Sequence, residues 1–317
     1  MGTVTPPPAT PSPTTPTTAS LRVTDDDLPA LCRAADKASL VGQNTYLWLL
    51  RIDLILLVVG AALASFSLID TGQKRVLAIL SAAFLLISLV LTIILRTQRP
   101  DRAWYDGRAV AESVKTLAWR YMTCTEPFLI SLSPQQAVRE FTTKLEAILR
   151  ERKLSAIALG GTLGAQAQVT DRMRQVRALG TAERKELYLK FRIDDQRQWY
   201  SNKAGRSQTS EERWFLAVVC SQLLAALSAV VLVGWPEAPA NPISFFSALA
   251  AALLAWVQVK RYQELAQSYG QAAHELGLIL AQAEYITTDD ALSIFVADAE
   301  NAISREHTMW TARRDVL

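Results

Sequence analysis

The chain has 317 residues, half of them hydrophobic, with a net charge of +3, two histidines and three cysteines. Charge so close to balance excludes a broad electrostatic footprint for nucleic acid, and two histidines are too few for a His-based metal centre. Cys32, Cys124 and Cys220 lie too far apart for a metal or redox motif and read as free thiols of a reducing compartment.

Residues 1–27 read as a disordered Pro/Thr-rich tail. The first twenty hold six prolines and seven threonines, which can bury nothing to offset their chain entropy. They contain no apolar core of a secretory signal.

Four apolar runs follow, at 54–69, 76–95, 215–235 and 243–259. A helix needs about 20 such residues to cross the hydrocarbon. Residues 76–95 contain no charge, whereas a soluble core helix would show a polar face every 3.6 residues. The run 54–69 is the shortest and is bracketed by Asp53 and Asp70. Its helix is expected to begin near Tyr46 and Trp48, with Arg51 and Asp53 at headgroup depth as interfacial anchors. The expected fold is therefore all-α and membrane-integral: two transmembrane hairpins, four spans, and long cytoplasmic helices forming a bundle. No ionisable group is expected near the midplane.

Basic residues set the orientation. Arg96, Arg99, Arg102, Arg108, Lys115 and Arg120 follow the second run, and Arg197, Lys203, Arg206 and Arg213 precede the third. Lys260 and Arg261 follow the fourth, while the loop at 235–242 carries no base. Lys74 and Arg75 dissent mildly. Both termini and the segment between the hairpins are expected in the cytoplasm.

Each half repeats one plan of lead-in helix, hairpin, lead-out helix and closing helix. The first unit is drawn at 28–155, a hinge and connecting helix at 156–180, and the second unit at 181–317. In the first lead-out helix Val110, Val114, Leu117 and Tyr121 form one stripe. In the second, Tyr262, Leu265, Tyr269, Ala272, Leu276, Ile279 and Ala283 keep 3–4 spacing. Ser133, Pro134 and Gln136 combine a capping box with proline at the first helical position. Thr287 with Asp290, and Thr209 with Glu212, read as further helix starts, and Gly180 before Thr181 as a break.

The spans hold few polar side chains. Ser81, Ser88 and Thr92 share a face of the second span; Ser221 and Ser228 do so on the third, with Gln222 beside them. Such a face suits a water-filled pore, since an apolar wall dewets. The same small hydroxyl residues also let helices approach and bond, which is the commoner use. Beneath the first hairpin Tyr105, Arg108, Glu112 and Lys115, and beneath the second Tyr269 and Glu275, are candidates for coupling the body to the spans. A solvated helix face with basic anchors explains them equally well.

No phosphate loop, nucleophile elbow or HExxH motif is present. The glycines at 160, 161 and 164 follow no strand and read as a hinge. The acidic pair Asp289-Asp290 suits a helix's first turn. No enzyme, cofactor or metal is expected.

The segment Trp104-Tyr105-Asp106-Gly107-Arg108-Ala109-Val110-Ala111-Glu112, continuing to Lys115-Thr116 and Trp119-Arg120-Tyr121, resembles the element after the hairpin in SLATT proteins, the SMODS- and SLOG-associating two-transmembrane effectors of bacteria. The second half is similar to another branch, through Asp195-Gln196, Trp199-Tyr200, Lys203-Ala204, Glu306 and Trp310. It lacks a counterpart of Arg108. The resemblance implies a membrane effector of a conflict or anti-phage defence system. Such an effector forms or perturbs a pore in the lipid bilayer, assembles as a homo-oligomer and is gated by a cytoplasmic sensor or nucleotide-signal system. The alternative is a membrane-anchored helical interaction scaffold with no conducting pore.

Overall fold

The computed structural model describes residues 21–66, 71–152, 167–238 and 240–314. The first twenty residues and the hinge glycines at 160, 161 and 164 lie outside them. Among the described residues the chain is helical, and strand pairing is confined to one bridge between Phe66 and Ala240.

Helix α1 (Ala30–Ala64) carries the lead-in segment and the first span without a break. Helix α2 (Thr71–Gln98) returns, and α3 (Pro100–Met122) leads out. Helices α4 (Pro134–Arg152) and α5 (Asp171–Arg177) complete the first half. Helix α6 (Thr181–Tyr188) passes through a π-helical turn (Leu189–Asp194) into α7 (Asp195–Gly234), which again joins lead-in and span. Helices α8 (Pro242–Lys260), α9 (Tyr262–Gln282) and α10 (Asp289–Arg314) repeat the return, lead-out and closing elements.

Among the described residues four helical stretches are long and apolar enough to cross a membrane, and their apolar windows are only 11–17% buried. Leu86, Leu89, Leu227 and Val230 face outward. So much outward apolar surface is stable only against lipid. The chain is a four-span, all-helical membrane protein.

Both halves are built alike. The two spans of each hairpin pack together, α1 on α2 and α7 on α8, and each lead-in packs on its lead-out, α1 on α3 and α7 on α9. The hairpins meet through α1 and α8. At their far turns Asn241 N–H donates to the Ser65 carbonyl at 2.7 Å. The return span ends in each half on an arginine in the left-handed region, Arg99 (φ 47°) and Arg261 (φ 48°). That conformation costs a non-glycine residue about 1–2 kcal/mol, so tertiary contacts must hold it. Each arginine pairs with an acid in the next helical turn, Asp101 at 3.1 Å and Glu264 at 3.6 Å.

The seams differ. Between α1 and α3 the backbones touch: a Cβ on Gly42 would lie 2.7 Å from Trp104 N, and one on Gly107 2.9 Å from the Ala35 carbonyl oxygen. Ser39 Oγ donates to the Trp104 carbonyl at 2.9 Å. Between α7 and α9 aromatic rings fill the gap, with Tyr200 stacked on Tyr269 at 5.6 Å and Trp199 edge-on to it at 5.3 Å.

The body's core gathers on the α3 stripe. Val110, Val114, Leu117 and Tyr121 are all buried, with Tyr121 edge-on to Phe128 and Phe141. On α9, Tyr269, Ala272 and Leu276 are buried, as is Ala283 in the turn that follows. The Ser133 capping box forms in both directions, at 3.0 and 3.3 Å. Helix α10 is capped by Thr288, one residue after the expected Thr287, through Oγ1 and Ala291 N–H. Thr209 is no cap: α7 runs straight through it, and its hydroxyl donates to the Gly205 carbonyl one turn back. Nothing there forces the chain out of helix, so lead-in and span fuse. Leu21 and Val23 pack into the core, so order begins before residue 28.

Candidate functional site

Three arginines, seven and eight residues apart, lie in the segment from α5 to the π turn. Each is buried: Arg177 9%, Arg184 2% and Arg192 1% exposed. A buried guanidinium needs several acceptors, and each finds them in a different element.

Arg177 Nη1 donates to the carbonyls of Tyr121 (3.0 Å) and Phe128 (2.7 Å), and Nη2 to that of Leu129 (3.0 Å). It thereby satisfies acceptors around the C-terminus of α3, where a cation also suits the helix dipole. Arg184 Nη1 donates to the Thr123 carbonyl at 2.9 Å, and Nη2 to Asp289 Oδ1 at 2.5 Å at the start of α10. The Thr181 hydroxyl, donating to the same oxygen at 2.7 Å, holds the Asp289 carboxyl below its ordinary range; burial opposes this, and Arg184 adds to the lowering.

Arg192 lies deepest. Its Nε and Nη2 grip the two oxygens of Glu300 at 2.9 and 2.8 Å, and Glu300 is fully buried. Thr116 Oγ1 donates to Glu300 Oε2 at 2.7 Å and Tyr188 OH to Oε1 at 3.1 Å. Arg192 Nη1 also stands 3.9 Å from Glu112 Oε2. Burial alone would lower the Arg192 pKa; Glu300 reverses this and holds it above its ordinary value. Burial, then Glu300, push the Tyr188 phenol well up. The cluster ties α3 of the first half to α6, the π turn and α10 of the second. π-Helical turns often mark functional positions.

Of the proposed coupling residues, Glu112 and Arg108 approach this joint. Arg108 lies 3.8 Å from Glu112 and 5.5 Å from the Trp199 ring centre, so it reaches from α3 to α7. Lys115 instead pairs with Asp25 at 2.9 Å, in a short 3-10 turn before α1. Tyr105 stacks on Trp104 at 4.8 Å; Glu275 accepts from Gln271 Nε2 at 3.1 Å. Sequence reasoning named Glu112 and passed over Arg192 and Glu300. The spacing of Arg184 and Arg192, eight residues apart through α6 and the π turn, was the available signal.

In the membrane, Ser81 Oγ donates to the Gly60 carbonyl at 2.8 Å and Ser88 Oγ to Asp53 Oδ1 at 2.5 Å. Both pairs share one antiparallel register, which sets residues 46–65 of α1 beside 76–95 of α2. Asp53 therefore lies about two turns, ~10 Å, inside the end of the second span at Leu95. The hydrocarbon half-thickness is about 15 Å, so Asp53 sits within it and not at headgroup depth. An ionisable residue so placed marks function by default. Ser221 and Ser228 donate to carbonyls of their own helix, Ala217 and Leu224, while Thr92 and Gln222 are exposed.

Cys32 is buried against α3, its thiol 3.4 Å from the Ala111 carbonyl, and burial pushes its pKa up to about 12. Because the thiolate is the reactive form, Cys32 is expected to resist maleimide at pH 8 in the folded protein and to react on denaturation. Mass spectrometry of the labelled peptide reads this directly; labelling of native protein would contradict the seam.

Two family matches divide the chain. SMODS and SLOG-associating 2TM effector domain 3 (SLATT_3) matches residues 29–185, and domain 1 of the same group (SLATT_1) matches residues 188–310. No curated protein and no solved structure matches the chain. The boundary between the matches falls at the buried joint, next to Tyr188 and Arg192. With two hairpins, repeated lead-out joints and both matches in order, the chain belongs to the SLATT family and carries two of its two-transmembrane effector domains in tandem.

Proposed function

We propose that this protein is a non-enzymatic bacterial membrane effector that opens or perturbs a pore when a cytoplasmic signal rearranges its helical body. The observation carrying this reading is the matched joint beneath the hairpins. Each return span passes through a left-handed arginine, Arg99 or Arg261, into a lead-out helix packed in one shared body. A change at the Arg192–Glu300 cluster would therefore move both hairpins together. The body lies in the cytoplasm of the inner membrane, several copies assemble, and a sensor or nucleotide-signal system supplies the trigger.

A second reading, the membrane-anchored scaffold, is favoured by the use of the span hydroxyls. Ser81 and Ser88 bond within the hairpin, and Ser221 and Ser228 bond within their own helix. The two readings part on one experiment. Vesicles loaded with potassium and a self-quenched dye are prepared with the full chain, together with its triggering partners. The same assay uses a chain whose two hairpins are replaced by unrelated apolar hairpins of equal length. The effector reading expects leakage from the first and none from the second. Cellular activity that survives the replacement would establish the scaffold. Ser88→Leu is a poor probe of a pore wall, because it also strips Asp53 of its hydrogen bond.

A further inference from the structure

Where the two hairpins meet on the side of the body, a basic corner is left without a counter-charge. The guanidinium carbon of Arg51 on α1 lies 5.4 Å from the Trp48 ring centre and 4.9 Å from that of Trp256 on α8. The ammonium of Lys260, at the end of α8, lies 5.7 Å from the Trp256 ring centre and 5.8 Å from that of Tyr262. Trp214 of α7 packs on Trp256 at 6.2 Å. Arg51, Lys260 and nearby Lys203 pair with no carboxylate among the described residues. The crowding is felt: burial first, then the charges of Arg51 and Lys203, push the Lys260 ammonium below its ordinary value.

At the centre of the corner Trp256 is 7% exposed, and its buried N–H finds no acceptor among the described residues. Cation–π contact accounts for the cations lying over the ring, but not for an orphaned donor, since buried indole N–H groups usually find a partner. Like charges around an unused donor describe a site that lacks an anion. In the α1–α2 register Arg51 stands opposite Val90, about 7 Å inside Leu95, from where its long side chain extends to headgroup height, and Lys260 ends α8 at that level. Trp48, Trp214, Trp256 and Tyr262 form an aromatic belt at the body-side end of the spans, where such rings anchor at the interface. Basic pockets between spans at that level suit phosphate headgroups.

We propose that this corner binds the phosphate of one anionic phospholipid, with Arg51 and Lys260 supplying charge and Trp256 Nε1 donating a hydrogen bond. A lipid phosphate is favoured over a soluble one because Arg51 is exposed beside the aromatic belt that marks the body-side end of the spans, where the lipid already resides. The proposal does not depend on whether the protein conducts.

The test is native mass spectrometry of the full-length protein released from nanodiscs of equal phosphatidylglycerol and phosphatidylcholine. The expected result is preferential retention of phosphatidylglycerol. Arg51→Gln combined with Lys260→Gln should lower it about 25-fold, at roughly fivefold per charge. Trp256→Phe, which keeps ring and charge, should lower it a few-fold without changing phosphatidylcholine retention. If the double variant fails to show native helix content by circular dichroism, Lys203→Gln and Trp256→Phe carry the comparison. Equal retention of both lipids, or a preference that survives these substitutions, would overturn the proposal. Displacement of the lipid by excess inorganic phosphate would overturn the lipid as source and leave a soluble-anion site; retention against phosphate supports the lipid.

Discussion

Glu300→Ala is expected to destabilise the helical body by about 3–5 kcal/mol, the usual cost of breaking a buried ion pair from one side. Arg192 is 1% exposed and Glu300 0%, so neither charge has water to turn to when its partner is removed. The substitution also strips Thr116 and Tyr188 of their shared acceptor. Against a total stability of about 5–15 kcal/mol, such a loss consumes much of the margin. Replacing both partners by apolar residues, Arg192→Met with Glu300→Leu, should cost far less than the sum of the single changes. Thermal unfolding in detergent, monitored by circular dichroism, measures the cycle. Additive losses would mean that the pair is not coupled and that the joint is held by packing alone. Because the cluster spans both SLATT domains, Glu300→Ala should also lower the activity of an effector whose hairpins act together.

Gly107→Ala and Gly42→Ala are each expected to destabilise the first unit by about 1–3 kcal/mol, although alanine is the better helix former. The new methyl groups would sit 2.9 Å from the Ala35 carbonyl oxygen and 2.7 Å from Trp104 N. Both are backbone atoms, so relief requires α1 and α3 to separate. That separation would also stretch the Ser39–Trp104 hydrogen bond and open Cys32. The second unit supplies the control. A Cβ at Gly270 or Gly277 meets nothing within 4 Å, so alanine there should stabilise by up to about 1 kcal/mol. The same unfolding measurement decides: losses of equal size at all four positions would mean that the glycines serve backbone freedom and not close approach.

These two predictions separate what was legible in the sequence from what was not. The four spans, the two hairpins, the α3 and α9 stripes and the Ser133 cap depend on residues a few positions apart. Helix period, side-chain hydropathy and capping chemistry act at that range, so the linear pattern carries them. The resemblance of 104–121 to SLATT proteins was legible for the same reason, since it is one contiguous helix. Thr209 misled because capping residues also occur inside long helices, where nothing local distinguishes the two uses.

What the tertiary structure decided is which residues face one another across helix contacts. Arg192 meets Glu300 from 108 positions away, and Lys115 finds Asp25 rather than its helical neighbours. Asp53 moves from headgroup depth into the hydrocarbon because the α1–α2 register, set by Ser81 and Gly60, places it opposite Ser88. Ser88 spends its hydroxyl on that contact, a use its helical face alone could not reveal. A helix's sequence specifies which stripe is apolar, but the rotation and vertical offset of two packed helices come from interlocking side chains along the whole contact. That is why the architecture could be read from the chain, while the buried joint and the intramembrane carboxyl required the packed structure.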